Sequence, residues 1–389
     1  MKFHSMLFTL LVFFQSPVLH AALLADLIEL SSDEQILFNT KSFDDLFAQG
    51  RKHKIAGQIQ KALSCLKPAL LKRPFDWPAN WDLGDLYLAL GDFKRGMAGF
   101  KFRWQHEKQF QEKLWLGQDL ANKTVLIYCQ WGLGDTFMYI RYASFLKKRG
   151  AYVICQAQKP LAKLLRYCPY IDQIIISSDP KPTFDYQLPT TYFPEVFDTA
   201  IDTIPNEIPY LFVDQKYIDE WSIKLGNKEK FRIGICWQGA VREDPQTAGR
   251  AMKLADLAAQ LLKIENIEIY CLQQGYGSEQ VNYLTAEDRK NIHLFNDHFD
   301  KDNGAFIDTA AVMKNLDLVL TIDTSIAHLA GALGVPTWVM LQYASEWRFF
   351  LERSDSPWYP TMRLFRQPMQ GDWQTVINNV MNELQRIVK

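Results

Sequence analysis

Leu316-Asp-Leu-Val-Leu-Thr-Ile-Asp323-Thr-Ser325-Ile-Ala-His328-Leu-Ala-Gly-Ala-Leu-Gly334-Val-Pro-Thr-Trp-Val-Met-Leu341 reads as strand, sharp turn, helix and strand. Leu318–Ile322 is a short apolar run rich in β-branched residues, the texture of a buried parallel strand. Asp323, Thr324 and Ser325 follow at once, and these are residue types that cap a helix N-terminus. Ile326–Leu333 has helical spacing, Gly334 fits a helix C-terminus, and Val335–Leu341 is the second strand. A polar trio between a buried strand and a helix N-terminus suits anion binding, because free backbone N–H groups and the helix dipole point there. The same residues equally suit a plain capping turn.

The neighbouring sequence repeats the pattern. Arg232–Trp237 is a strand ending in Gln238-Gly239-Ala240, and a charged loop with Arg242 and Arg250 follows. Helix Leu254–Leu262, strand Ile267–Leu272 and helix Ile307–Lys314 lead into the opening stretch, and Val376–Val388 is an amphipathic C-terminal helix. Upstream, Thr124–Cys129 is a buried strand followed by Gln130-Trp-Gly-Leu-Gly-Asp135-Thr136 and a helical run over Phe137–Arg149. Strand Tyr152–Gln156, helix Pro160–Tyr167 and strands at Gln173–Ile176 and Phe184–Leu188 come next, and Asp179–Tyr210 is proline-rich and loop-like. Strands alternating with helices predict parallel sheets with right-handed crossovers. Gly132 and Gly134 supply only part of a dinucleotide fingerprint, and no acidic residue ends the second strand, so a nicotinamide enzyme fits poorly. Asp135 stands at the carboxyl end of the first strand, where a carboxylate either caps the helix or acts as a general base. Trp237 and His328 read as core as readily as site.

Residues 31–110 are helical in character and periodic. Phe43 opens a unit of roughly 34 residues and Trp77 opens the next. Gly50 and Gly84 stand in one phase of it, Gly57 and Gly91 in a second, Ala62 and Gly96 in a third, and Leu66 and Phe100 in a fourth. This resembles the tetratricopeptide repeat, in which small residues let paired helices approach and an aromatic fills the gap between repeats.

At the N-terminus Lys2 and His4 precede the apolar run Met6–Phe14, and Ala21 follows as a cleavage residue, the layout of a signal peptide. A buried or membrane-leaning helix continuing through Leu23–Leu30 is the other reading. The formal charge of -1 gives no basic surface for nucleic acid. Six scattered cysteines without a Cys-x-x-Cys pair fit packed, reduced thiols better than a disulfide or zinc framework.

Gly-Leu-Gly-Asp135-Thr, Ile-Cys-Trp-Gln-Gly239, Asp323-Thr-Ser-Ile-Ala-His-Leu-Ala-Gly-Ala-Leu-Gly334 and Ser356-Pro-Trp-Tyr-Pro-Thr-Met-Arg363 occur in that order. Together they resemble the heptosyltransferases of lipopolysaccharide assembly, glycosyltransferase family 9, in a tetratricopeptide-bearing form. The resemblance runs from about Phe43 to the C-terminus. It implies an α/β fold of two facing Rossmann-like domains, the GT-B arrangement, preceded by a small all-α repeat region. The expected segments are 1–30, signal-like or helical; 31–120, repeats and linker; 121–225, the acceptor domain; and 226–389, the nucleotide-sugar domain.

The resemblance further implies inverting transfer from a nucleotide-sugar donor, with no cofactor and no metal. Asp135 matches the family's general base, and Gly132, Gly134 and Thr136 fall on the acceptor side. Asp323, Thr324 and Ser325 match the donor turn, and Gln238, Gly239, Arg250 and His328 join it. Arg250 stands where heptosyltransferases place Lys, and Ser325 where they place Gly, so the donor sugar stays open between heptose and others. The acceptor is a glycan, a lipid-linked glycan or, if the repeats hold a polypeptide, a protein. An inactive scaffold that binds a protein partner through the repeats is the reading from another class; nucleic acid is not expected. Nucleotide sugars being cytoplasmic metabolites, the expected location is the cytoplasm, at the inner membrane face, against the signal-like N-terminus.

Overall fold

A computed structural model of the chain describes residues 24–106, 112–240 and 249–388. The signal-like segment before Leu24 and Arg242 of the charged loop lie outside these residues. The chain divides into two compact units: one reaches to Leu116 and includes Pro194–Ile201, and the other comprises Gly117–Phe193 and Asp202–Lys389.

The first unit is helical: Ser32–Thr40, Phe43–Ile55, Ile59–Lys72, Trp77–Ala89 and Phe93–His106. Ser31 opens the first helix with a reciprocal capping box, its hydroxyl accepting from the Glu34 amide while the Glu34 carboxylate accepts from Ser31 N. Two periodic positions explain how closely these helices pack. A Cβ on Gly84 would stand 2.8 Å from the Gly96 carbonyl oxygen, and one on Gly96 would stand 2.7 Å from Leu88 Cδ2. Only glycine admits that approach. Trp81 stacks on Phe100 at 4.1 Å between ring centres, so the aromatic of the fourth phase is a packing residue. Lys54 is buried and donates to Asp82 at 2.8 Å and to Asp85 at 2.7 Å.

The second unit holds two all-parallel sheets. In the first, β1 (Thr124–Tyr128), β2 (Tyr152–Gln156), β3 (Gln173–Ile175) and β4 (Tyr186–Pro189) lie in the order β3-β2-β1-β4. In the second, β5 (Phe231–Cys236), β6 (Ile267–Cys271), β7 (Ile292–His293), β8 (Leu318–Ile322), β9 (Thr337–Leu341) and β10 (Met362–Arg366) lie in the order β10-β9-β8-β5-β6-β7. In each sheet the order doubles back beside the first strand, between β1 and β4 and between β5 and β8. Such switch points open binding crevices at the carboxyl ends of the strands. The second sheet buries β8 and β9 completely and is covered by Leu254–Leu261 and the C-terminal helix Trp373–Ile387, whose Val376, Ile377, Val380 and Leu384 are inaccessible.

Several elements differ from the sequence expectation. The helix expected over Phe137–Arg149 begins at Leu133, because Gly132 N donates to the Asp135 carboxylate at 2.7 Å and fixes the first turn there. It then passes through a 3₁₀ turn at Ile140–Tyr142 before resuming over Ala143–Lys148. The helix expected over Pro160–Tyr167 shortens to a 3₁₀ turn and Ala162–Leu165. Strand β10 and the helix Gln215–Leu225 were not expected, although Tyr217, Trp221 and Leu225 stand at helical spacing in the latter. All six cysteines are free thiols; Cys129 and Cys155, on neighbouring strands, approach to 3.4 Å between sulfurs. Among the described residues no helix is long and apolar enough to cross a membrane.

Replacing Lys54 by Met should leave two buried carboxylates without their shared cation, at a cost of about 3–5 kcal/mol. Urea unfolding followed by circular dichroism should show a correspondingly earlier transition; an unchanged midpoint would mean that the triad contributes no net stability.

Candidate active site

Two helix N-termini meet in the second unit. The helix Leu133–Tyr139 leaves the carboxyl end of β1, and the helix Ser325–Ala332 leaves that of β8. They touch at Gly134, where a Cβ would stand 2.9 Å from His328 Cδ2 and 3.4 Å from Ser325 Cα. The turn before the first helix is sharp, with Trp131 in the left-handed region at φ 66°. Thr324 caps the second helix, its hydroxyl accepting from Ile326 N at 3.2 Å. The opening trio therefore does cap its helix, and its neighbours show what else it can do.

Asp323 is buried and accepts from Arg250 Nη1 at 2.9 Å. Asp323 holds Arg250 above the ordinary arginine value, with Glu346 adding to the effect. Arg348, in the turn Trp347–Phe349 after β9, donates through Nη2 to Asp135 Oδ1 and through Nη1 to Glu346 Oε1. Burial works against its charge, but Glu346 and then Asp135 more than offset this and its pKa lies above the usual range. Its Nε–H is buried without a partner. Arg366 pins that turn by donating to the carbonyls of Phe349 at 3.0 Å and Phe350 at 2.9 Å. Burial alone pulls Arg366 down to about 10. Arg250 and Arg348 thus interleave with Asp135, Asp323 and Glu346 along the two helix starts, and one guanidinium N–H is left to spare.

Most residues marked out in the sequence fall in this cluster. Gly239 lies beside Thr324, whose methyl would stand 3.4 Å from a Cβ added to the glycine. Gln238 turns the other way, accepting from Gln280 Nε2 at 2.8 Å. Thr136 is inaccessible and donates to Gln158 Oε1 at 2.8 Å. His328 belongs to the packing of the two helices: its Nδ1 lies 2.9 Å from the Tyr359 hydroxyl, and burial, helped by Arg348, lowers its pKa to about 3. A neutral, enclosed imidazole touching Gly134 sets the spacing of the helix starts. Trp237 is likewise core, its indole N–H donating to the Gly277 carbonyl. Cys236, beside Thr324, is pushed up to about 11 by burial and is no nucleophile.

Sequence reasoning missed three residues here. Arg348 sat in an aromatic segment with no motif around it. Gln273, just past the end of β6, accepts from the amides of Trp237 at 3.1 Å and Gln238 at 2.9 Å and donates to the Gln238 carbonyl at 2.8 Å, fixing the loop after β5. Arg141 is buried and pairs with neutral groups: it donates to the carbonyls of Met138, Pro205 and Trp358 and to the Tyr210 hydroxyl, and Tyr210 donates onward to the Phe137 carbonyl.

Two parallel sheets with crevices at their switch points and helix N-termini brought together define the GT-B class of fold. No family model matches the sequence. The chain is 24% identical over 334 residues to protein FlbA of Caulobacter vibrioides, covering 77% of this chain and 53% of that one. It thus spans about half the length of the curated relative it matches. In structure it resembles the ADP-heptose lipopolysaccharide heptosyltransferase II of E. coli, with a TM-score of 0.51 and 13% identity over 68% of this chain and 98% of that one. It also resembles a family 9 glycosyltransferase of Veillonella parvula, with a TM-score of 0.50 and 12% identity over 70% and 92% of the two chains. These likenesses establish the α/β GT-B fold for the second unit.

His328 yields a pH test. Its folded value, about 3, lies below that of the unfolded chain, 6.5. The unfolded state then binds more protons between these values, so this contribution to stability is present above pH 6.5 and is lost as pH falls toward 3. His328→Asn, which retains an acceptor for Tyr359, should flatten the fall of Tm in that window relative to the parent chain. Parallel Tm profiles would remove the buried imidazole from the account.

Proposed function

We propose that the chain is a glycosyltransferase that transfers a sugar from a nucleoside-diphosphate donor to a hydroxyl of its acceptor, with inversion and without a metal. The observation that carries this reading is the meeting of Asp135 with the Arg250–Asp323–Thr324 turn across one helix contact. Asp135 is the general base. It takes the acceptor's proton as the anomeric centre of the donor becomes oxocarbenium-like. The departing diphosphate gathers negative charge, and the N-terminus of Ser325–Ala332 and Arg250 stabilise it. Arg348 also holds the Asp135 carboxylate in place.

The heptosyltransferase resemblance and the neighbour described as acting with ADP-heptose favour an ADP-linked heptose as donor. Arg250 and Ser325 depart from that family's usual residues and leave UDP- and GDP-sugars as competitors. We read the first unit as tetratricopeptide-type repeats, supported by the in-phase Gly50, Gly84 and Gly96 contacts. The acceptor is a glycan or lipid-linked glycan in cell-surface polysaccharide assembly, and the enzyme works in the cytoplasm.

Asp135→Asn keeps an acceptor for Gly132 N but not a base. Turnover should fall by roughly 10²–10⁴-fold while ADP, GDP or UDP affinity by calorimetry is retained. Arg250→Ala should do the reverse at the donor, raising the nucleotide Kd. Unchanged turnover in Asp135→Asn would remove that carboxylate from the chemistry, and insensitivity to EDTA is expected throughout.

A further inference from the structure

Arg348 is paired with more negative charge than the proposed chemistry uses. Its Nη2 donates to Asp135 and its Nη1 to Glu346. Asp135 is the proposed base, and Asp323 holds Arg250 at 2.9 Å ahead of the second helix. Glu346 has no such task. Its carboxylate also accepts from Arg348 N at 3.1 Å, which caps the turn Trp347–Phe349. A neutral amide oxygen accepts from a backbone N–H as well, so the cap does not account for the charge.

That charge reaches both arginines. The loop carrying Arg250 packs on the segment carrying Glu346. A Cβ on Gly249 would stand 2.5 Å from Gln342 Oε1, and Gln342 Nε2 donates to the Ala344 carbonyl at 2.9 Å. Glu346 joins Asp323 in raising the pKa of Arg250, and Arg348 opposes them, so the three side chains lie within one another's field. The side chains of Arg250 and Glu346 are each 23% exposed, against 11% for Arg348, and the cluster therefore opens to solvent at Arg250 and Glu346.

In the transferase reading a diphosphate binds at Arg250 and the start of Ser325–Ala332. Glu346 is then a like charge beside it, and it already holds a guanidinium of the same cluster. Charges that are partly buried are weakly screened, so such a neighbour opposes binding. It opposes the product more than the donor, because breaking the bond to the sugar leaves a further negative charge on the terminal phosphate.

We propose that Glu346 is an internal anion that competes with the diphosphate for Arg250 and Arg348 and speeds release of the nucleoside-diphosphate product. The proposal rests on the transferase reading, in which that diphosphate is the leaving group.

Glu346→Gln removes the charge and keeps an oxygen for Arg348 N, while Glu346→Asp keeps the charge. Calorimetry on the full chain reads inorganic pyrophosphate, ADP, GDP and UDP, and displacement of a fluorescent nucleotide reads the dissociation rate. Glu346→Gln should bind pyrophosphate and the accepted nucleotide about tenfold more tightly, with slower dissociation, and Glu346→Asp should stay near the parent. If Glu346→Gln loses stability, pyrophosphate should raise its Tm by more than it raises that of the parent, because the ligand then supplies the missing anion. Unchanged or weaker pyrophosphate affinity, an unaltered dissociation rate, or a destabilised variant whose Tm pyrophosphate does not move would overturn the role of Glu346. Nucleotides that bind the parent and Glu346→Gln alike would leave the transferase reading standing and remove this one. Pyrophosphate that binds more tightly to Glu346→Gln, with no nucleoside diphosphate bound by either chain, would uphold the competition and sink the transferase reading.

Discussion

The contact of Gly134 with His328 and Ser325 is the constraint on which the second unit's chemistry depends. Two helix starts packed together bring two positive dipole ends side by side, which by itself is unfavourable. Asp135 in the first turn of one helix and Asp323 just ahead of the other supply the negative charge that makes the arrangement stable. Arg348 and Arg250 then pair those carboxylates in turn. The result is a charge-dense patch in which every member is positioned by another: the cap of one helix is also the acid held by a guanidinium from the turn after β9. A larger residue than glycine at 134 would separate the helix starts and leave each carboxylate as an ordinary cap.

Electrostatics also explains why the histidine of the donor-turn stretch does not titrate where histidines usually do. His328 is out of water with Arg348, Arg141 and Arg250 near it, and a proton on it would add a fourth cation to an enclosed space. Its ring serves as a spacer of fixed shape, held by Tyr359, whose own ring closes on Gly331. That division of labour leaves Asp135 as the group placed to move a proton and the imidazole as part of the frame.

Much of the fold was legible because strands β5 and β8 and the helices after them carry strong local signals: a run of branched apolar residues, then a cap, then helical spacing. Asp323–Ser325 and Asp135 could be found that way, since polar residues between a buried strand and a helix mark the helix start. Arg348 could not. It lies in a short turn among aromatics, and its importance comes from reaching Asp135, which stands far earlier in the chain. Gln273 was missed for the same reason; a neutral amide at a strand end looks like surface until its partners are known. The helix beginning at Leu133 reads as starting later because Gly-Leu-Gly has the texture of a loop, while the Asp135 cap overrides the glycines' weak propensity.

Arg141 joins the two α/β halves through carbonyls, a phenol and aromatic faces, with Tyr210 at 4.4 Å and Tyr359 at 4.7 Å from the guanidinium. No carboxylate takes part in these bonds, and burial keeps the tyrosine hydroxyls protonated well into alkaline solution. Nothing in that joint gains or loses a proton across the range in which a cell lives. The seam between the halves is therefore indifferent to acidity. A protein made this way keeps its two sheets aligned whatever the acidity of the solution around them.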